Sequence, residues 1–450
     1  MSFANTYCQN PVCTPSRCSF MTGWYPHVRG HRTMFHMLQP DEPNLLKTLK
    51  DAGYYVWWGG KNDLVPAQNS LEPYCTEKFV PSLPPRPLPP KVSAEVWRGP
   101  SGGDRYYSFY QGRLEGNPSA PYPRDSDWAN VLGAVDFIRH APTDRPFCIY
   151  LPLGFPHPPY GVEDPWYSLI DREKVPARIP APDWAKQPSI LRGIASLQHL
   201  QGWDETRWTE LRATYYGMCA RVDHQFGLIL EALRQAGCYD QTAVFFFADH
   251  GDFTGDYGLV EKTQNTFEDC LVHVPFLIKP PAWVAVKPGI RQALVELVDM
   301  PATVEALLSL SPGHTHFGRS LLPLITGEVD EHRDAVFCEG GRLHGETHCM
   351  ELESDIDSAP GDLYLPRLYW QRREGPEHTK AVMVRTREYK YVRRLYETDE
   401  LYDLRQDPQE LYNRIDDPAL ANELAALKER LLTFYLETGD AVPFATDRRW

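Results

Sequence analysis

Cys13-Thr14-Pro15-Ser16-Arg17 puts a sulfur nucleophile one helical turn before a guanidinium, with a proline between them. Pro15 has no backbone N–H and suits the first turn of a helix, so the spacing predicts that Cys13 stands at a helix N-terminus. There the free N–H groups and the helix dipole favour negative charge. Arg17 adds a fixed planar cation. A cysteine so placed is a nucleophile in an anion site. By itself it would suit a buried structural cysteine beside a surface arginine better, so other segments must decide.

The second chemical segment is Asp249-His250-Gly251-Asp252, directly after the apolar run Thr242–Ala248. A carboxylate and an imidazole at the carboxyl end of a strand can hold a divalent cation and one substrate oxygen. An isolated pair of this kind more often caps a helix; together with Cys13 the functional reading prevails.

These residues need a scaffold, and the chain alternates short apolar runs with amphipathic ones. Leu45–Ala52 reads as a helix leading into a strand at Tyr54–Trp58. Trp128–His140 reads as a helix before a strand at Pro146–Leu153. Glu210–Gly237 is the longest helical stretch, and Thr242–Ala248 reads as a fully buried strand. Helix and strand in alternation imply an α/β fold with a large, mostly parallel sheet sandwiched by helices. Ligands in such folds bind beyond the carboxyl ends of the strands. After about Gly327 the character changes: Ala381–Arg385, Tyr389–Arg393 and Glu400–Leu404 read as short strands, closed by a helix at Ala419–Thr433. The expected division is a catalytic domain over 1–330 and a smaller C-terminal antiparallel-sheet domain over 331–450. Many of the 41 prolines fall between 80 and 125 and between 152 and 188, where long irregular connections are expected.

Cys-x-Pro-Ser-Arg followed by Thr22-Gly23 resembles the signature of the sulfatase family, part of the alkaline phosphatase superfamily. Phe3–Tyr7 and Tyr25-Pro26-His27 resemble its usual surroundings. The resemblance implies that Cys13 is oxidised to Cα-formylglycine by a formylglycine-generating enzyme, and that Asp249 and His250 ligate calcium together with residue 13. It also implies substrate-binding roles for Lys262 and for Lys61, in Gly59-Gly60-Lys61-Asn62-Asp63. His157, in Phe155-Pro156-His157-Pro158-Pro159-Tyr160, resembles the histidine that protonates the departing alcohol. Asp63 departs from the pattern, because many members have histidine there and a carboxylate cannot replace a cationic imidazole. The run Arg385–Tyr391 with Glu400–Leu404 resembles the C-terminal part of many members and reads as structural. The implied activity is hydrolysis of a sulfate monoester, with a phosphonate monoester or phosphodiester hydrolase as the alternative.

A net charge of -14 argues against nucleic acid as a partner and leaves any anion site to local cations. The ten cysteines form no paired framework, though one or two bridges stay open. No apolar run is long enough to span a membrane, and no secretory leader follows Met1. The resemblance also implies an early strand ending in two metal-binding aspartates, whereas Met1–Val12 contain no Asp or Glu. The expectation is therefore a sheet short of one strand and a start codon set too late, or else an inactive truncated relative.

Overall fold

The computed structural model describes residues 1–82, 108–115, 125–311, 313–351 and 364–449. Most of the first proline-rich stretch lies outside them. The second, from 152 to 188, is irregular apart from short pieces, as its prolines require.

Strands β1 (Ser2–Tyr7), β7 (Val244–Phe247), β8 (His273–Lys279) and β9 (Ile290–Glu296) form one sheet in the order β7-β8-β1-β9. β8 runs antiparallel to both its neighbours, and β1 pairs parallel with β9. β8 shows why it is a strand: Val274, Phe276 and Ile278 are buried while His273, Pro275 and Leu277 are exposed, the two-residue period of a pleated surface. A second, all-parallel group has the order β3-β2-β5, from β2 (Tyr55–Trp58), β3 (Glu77–Lys78) and β5 (Phe147–Tyr150). A short parallel pair joins β4 (Tyr110–Arg113) to β6 (Tyr160–Val162). Outside the C-terminal region parallel pairings thus outnumber antiparallel ones among the described residues, with β8 as the antiparallel insertion.

One detail adds to the sequence reading and one differs from it. Met1–Val12 carry a strand, β1, at the centre of the first sheet. The expected fully buried strand, β7, is only partly buried, and so is β5. The reason is their pairing. Among the described residues β7 bonds only to β8 and β5 only to β2, so each has an open edge. Both nonetheless pack on one apolar cluster, where Phe147, Ile149 and Val244 meet Val135, Ile138, Ala232 and Leu233. Those last four belong to the helices α3 (Ser126–Arg139) and α4 (Glu205–Gln235).

Helix α1 (Cys13–Thr22) follows β1, and α2 (Leu45–Asp51) precedes β2. α3 packs against α4, whose first turn is capped by the Asp204 side chain accepting from Arg207 N. α5 (Asp299–Leu308) follows β9. The C-terminal region holds an antiparallel sheet, β10 (Val336–Gly340), β11 (Ala381–Arg385), β12 (Tyr389–Arg394) and β13 (Glu400–Asp403), in that order. Its apolar face, with Val384, Tyr391 and Leu401, is covered by Leu427, Leu431 and Phe434 of α6 (Ala421–Thr438). All ten cysteines are free thiols. No helix among the described residues is long and apolar enough to cross a membrane.

A buried ion cluster ties β9 and α5 to the C-terminal sheet. Arg333 Nε donates to Asp299 Oδ2 at 3.0 Å, Arg333 also pairs with Glu296 at 3.0 Å, and Asp299 accepts from the backbone of Glu296 and Arg319. Burial works against the Asp299 carboxylate, but Arg333 outweighs it and holds the group below the ordinary range. Asp299→Asn is expected to cost about 3–5 kcal/mol, since it leaves Arg333 partly uncompensated. A depressed carboxylate stabilises the fold above its unfolded value and loses that contribution as pH falls through the folded value. The gap between wild type and variant in urea unfolding should therefore persist at neutral pH and narrow only in acid, below about pH 4.

Candidate active site

Each site segment follows the carboxyl end of a strand: β1 leads to Cys13, β2 to Lys61, β5 to His157 and β7 to Asp249. Within each sheet the strand directions bring two of these ends to the same side. β1 and β7 are both antiparallel to β8, hence parallel to each other, and β2 is parallel to β5. The loops at these ends are tight. Gly60 sits at φ 74°, and a Cβ there would lie 2.0 Å from the Pro152 carbonyl oxygen. That same oxygen accepts from Lys61 N at 2.9 Å. Gly60→Ala is expected to lower stability by about 1–3 kcal/mol and to displace Lys61, giving a lower melting temperature and weaker anion binding together.

Cys13 is the first residue of α1, as its proline spacing predicted, and it is buried. Its Sγ lies 3.2 Å from His250 Nε2, and Lys61 Nζ approaches it to 3.6 Å. Burial alone would push the thiol up; Lys262 and then His250 overcome that, and His157 adds a hydrogen bond, so its pKa falls well below the usual value. Arg17 turns back along α1. Its Nε and Nη2 reach Asp249 Oδ2 at 3.0 and 2.8 Å, with side chains only 6% and 19% exposed. Ser16 Oγ donates to the Asp249 carbonyl at 2.6 Å, locking the first turn of α1 to the end of β7.

His250 Nδ1 donates to the Gly251 carbonyl at 2.7 Å, which leaves Nε2 facing the thiol. Burial lowers its pKa, but Asp249 and Cys13 raise it to about 9. His157 Nδ1 donates to the Pro158 carbonyl at 2.7 Å, and its Nε2 receives the Lys262 ammonium. Lys262 is buried and paired with Glu261 at 2.8 Å; that carboxylate outweighs burial and keeps the ammonium charged. All seven residues singled out in the sequence, Cys13, Arg17, Lys61, His157, Asp249, His250 and Lys262, therefore surround one point.

The sequence reading passed over several neighbours. Glu261 is shared between Lys262 and Arg367, whose Nη1 lies 3.1 Å away. Arg367 also donates to the Lys262 carbonyl and pairs with Glu351. Tyr160 Oη accepts from Glu261 N and donates to Asp252. Glu261 stands beside Lys262 in the chain and could have been weighed; Arg367 offers no local signal. Beside Lys262 lies a cavity of about 40 Å³ walled by Phe109, Phe253, Val260, Tyr364 and Arg367.

Cys13, Asp249 and His250 offer ligand atoms within 4.8 Å of one another. Calcium takes six to eight oxygens. This cluster has one carboxylate, already engaged by Arg17, with a thiol and an imidazole, so the described residues do not fit calcium as they stand. What the arrangement does fit is a tetrahedral oxyanion over residue 13, with Arg17, Lys61, His250 and Lys262 as the cationic surround.

A family model described as Sulfatase matches residues 1–310. Arylsulfatase K of Danio rerio is 27% identical over 348 residues, 72% of this chain and 61% of that protein, so the chain spans about three fifths of that relative's length. Among solved structures, a 2-O GAG sulfatase superposes with a TM-score of 0.70 at 20% identity, over 98% of this chain and 85% of the other. The phosphonate monoester hydrolase of Agrobacterium radiobacter gives 0.71 at 23% identity, over 97% and 88%. With its family model covering more than half of its length, this chain belongs to the sulfatase family.

Proposed function

We propose that this chain hydrolyses a sulfate monoester with residue 13 as the nucleophile, after Cys13 has been oxidised to Cα-formylglycine by a partner enzyme. The observation that carries the reading is the thiol at the N-terminus of α1, ringed by Lys61, His250 and Lys262 and backed by Arg17. The Danio rerio relative is named for the same activity.

Addition of water to the aldehyde gives a geminal diol on residue 13. One hydroxyl gives its proton to solvent water and attacks sulfur in line, forming the new S–O bond as the ester S–O bond breaks. Lys61 and Lys262 face the sulfuryl oxygens, where charge develops. Lys262 passes a proton through His157 Nε2 to the departing alkoxide, a role supported by the contact between the two side chains. The second hydroxyl of the diol then returns its proton to the His157–Lys262 pair, the C=O bond re-forms as the C–O bond to the sulfo group breaks, and sulfate leaves. Asp249 holds Arg17 and takes no proton in this sequence. Calcium is the metal that the family implies; Asp249, His250 and residue 13, its expected ligands, do not fit it as they stand, and no step above runs through it.

The second reading, a phosphonate monoester or phosphodiester hydrolase, rests on the spacing from Asp249-His250-Gly251 to Lys262, which resembles that of such enzymes as much as that of a sulfatase. One assay separates the two. Modified protein should turn over an aryl sulfate with a kcat/KM well above that for an aryl phosphonate monoester or phosphate diester of the same phenol, and Cys13→Ala should abolish it. The opposite ranking would select the second reading. No turnover of any ester by fully modified protein would reject both and point to an inactive relative.

A further inference from the structure

Each lysine beside residue 13 has its own carboxylate, and both carboxylates are held in the same unusual way. Asp63 has φ 42° and Glu261 φ 65°, in the left-handed region that residues with side chains seldom occupy. Such strain persists only where the surroundings impose it, and it gathers at functional sites. Around Asp63 the turn is imposed by Asn62, whose Oδ1 accepts from Leu64 N and Val65 N. The result carries the Asp63 carboxylate back over Lys61, with Oδ2 2.7 Å from Nζ. Glu261 Oε1 is 2.8 Å from Lys262 Nζ. Asp63 Oδ2 and Glu261 Oε1 are both buried and, these ion pairs apart, have no hydrogen-bond partner among the described residues.

We propose that Asp63, supported by Glu261, sets the charge of the oxyanion pocket so that it accepts singly charged esters and rejects doubly charged phosphate monoesters. This deepens the sulfate-ester reading and rests on it. An unpaired ammonium would add a full positive charge beside the bound anion. Paired with a carboxylate at 2.7 Å it still offers N–H donors, but its field at the ligand is largely cancelled. A sulfate monoester carries one negative charge, whereas a phosphate monoester carries about 1.5 to 2 at neutral pH. The extra charge of the phosphate meets Asp63 in a buried setting, where screening is weak. Glu261 divides its charge between Lys262 and Arg367, so Asp63 has the larger effect. Phosphonate monoesters and phosphodiesters, also singly charged, pass the same filter.

The test reads binding rather than turnover. In a Cys13→Ala parent, which cannot form the nucleophile, calorimetry gives the Kd of phenyl sulfate and of phenyl phosphate at neutral pH. Adding Asp63→Asn, which keeps shape and removes charge, should shift the ratio of the two affinities toward phenyl phosphate by about tenfold or more. Asp63→Glu, which keeps the charge, should leave the ratio near that of the parent and guards against misfolding as the cause. If phenyl sulfate binds and the ratio does not move, or both ligands weaken equally, Asp63 merely positions Lys61 and the inference is overturned while the sulfate-ester reading stands. If neither ester binds the parent, the sulfate-ester reading fails and this inference falls with it.

Discussion

Arg17→Ala is expected to lower kcat/KM by about 100- to 1,000-fold, the scale found when one fixed donor is taken from a site where anionic charge develops. It should also cost stability. The guanidinium makes two contacts to Asp249 Oδ2, at 3.0 and 2.8 Å, with both side chains largely withdrawn from water. Breaking a buried pair by removing one partner costs about 3–5 kcal/mol, because the other charge is left uncompensated. The two effects separate with Arg17→Lys. A lysine keeps the charge but cannot reproduce the two-nitrogen contact, so it should recover more stability than activity. Melting temperature and kcat/KM measured on the same preparations check this. An Arg17→Ala protein that is stable and as active as wild type would mean that Asp249 is held by something else.

The second large effect is at His157. Its Nε2 faces Lys262, and its Nδ1 is tied to the Pro158 carbonyl, so the ring is fixed as a relay rather than left free to turn. His157→Gln should reduce kcat/KM by about 100- to 10,000-fold for an alkyl sulfate, whose leaving group needs a proton. For a nitrophenyl sulfate, whose leaving group departs as a stable anion, the loss should be far smaller. A plot of rate against leaving-group acidity should therefore be steeper for the variant than for wild type. Equal losses for every leaving group would assign His157 to binding instead of proton transfer.

Much of the site was legible because its chemistry is local. Pro15 two residues after Cys13 announces a helix start, and α1 begins there. The apolar run before Asp249 announces a strand end, and β7 stops just short of it. What was not legible depends on contacts across space. Asp63 and Glu261 take their meaning from positive φ angles that pair them with lysines, and no residue pattern states those angles. Arg367 reaches Glu261 from a distant helix. β1 was missed for a different reason. Its sequence, Ser-Phe-Ala-Asn-Thr-Tyr, lacks a clean two-residue apolar alternation, and its place between β8 and β9 supplies the order instead. The half-burial of β5 and β7 likewise follows from which edges pair, a property of the assembled sheets rather than of either apolar run.

The most direct test of the central claim is the mass of the peptide containing residue 13, measured on preparations made with and without a formylglycine-generating enzyme and set against aryl sulfate turnover. Turnover per mole of protein should rise in proportion to the aldehyde fraction and extrapolate to zero for the unmodified thiol. Full conversion of Cys13 to the aldehyde with no sulfatase turnover, or turnover that ignores the aldehyde fraction, would contradict it.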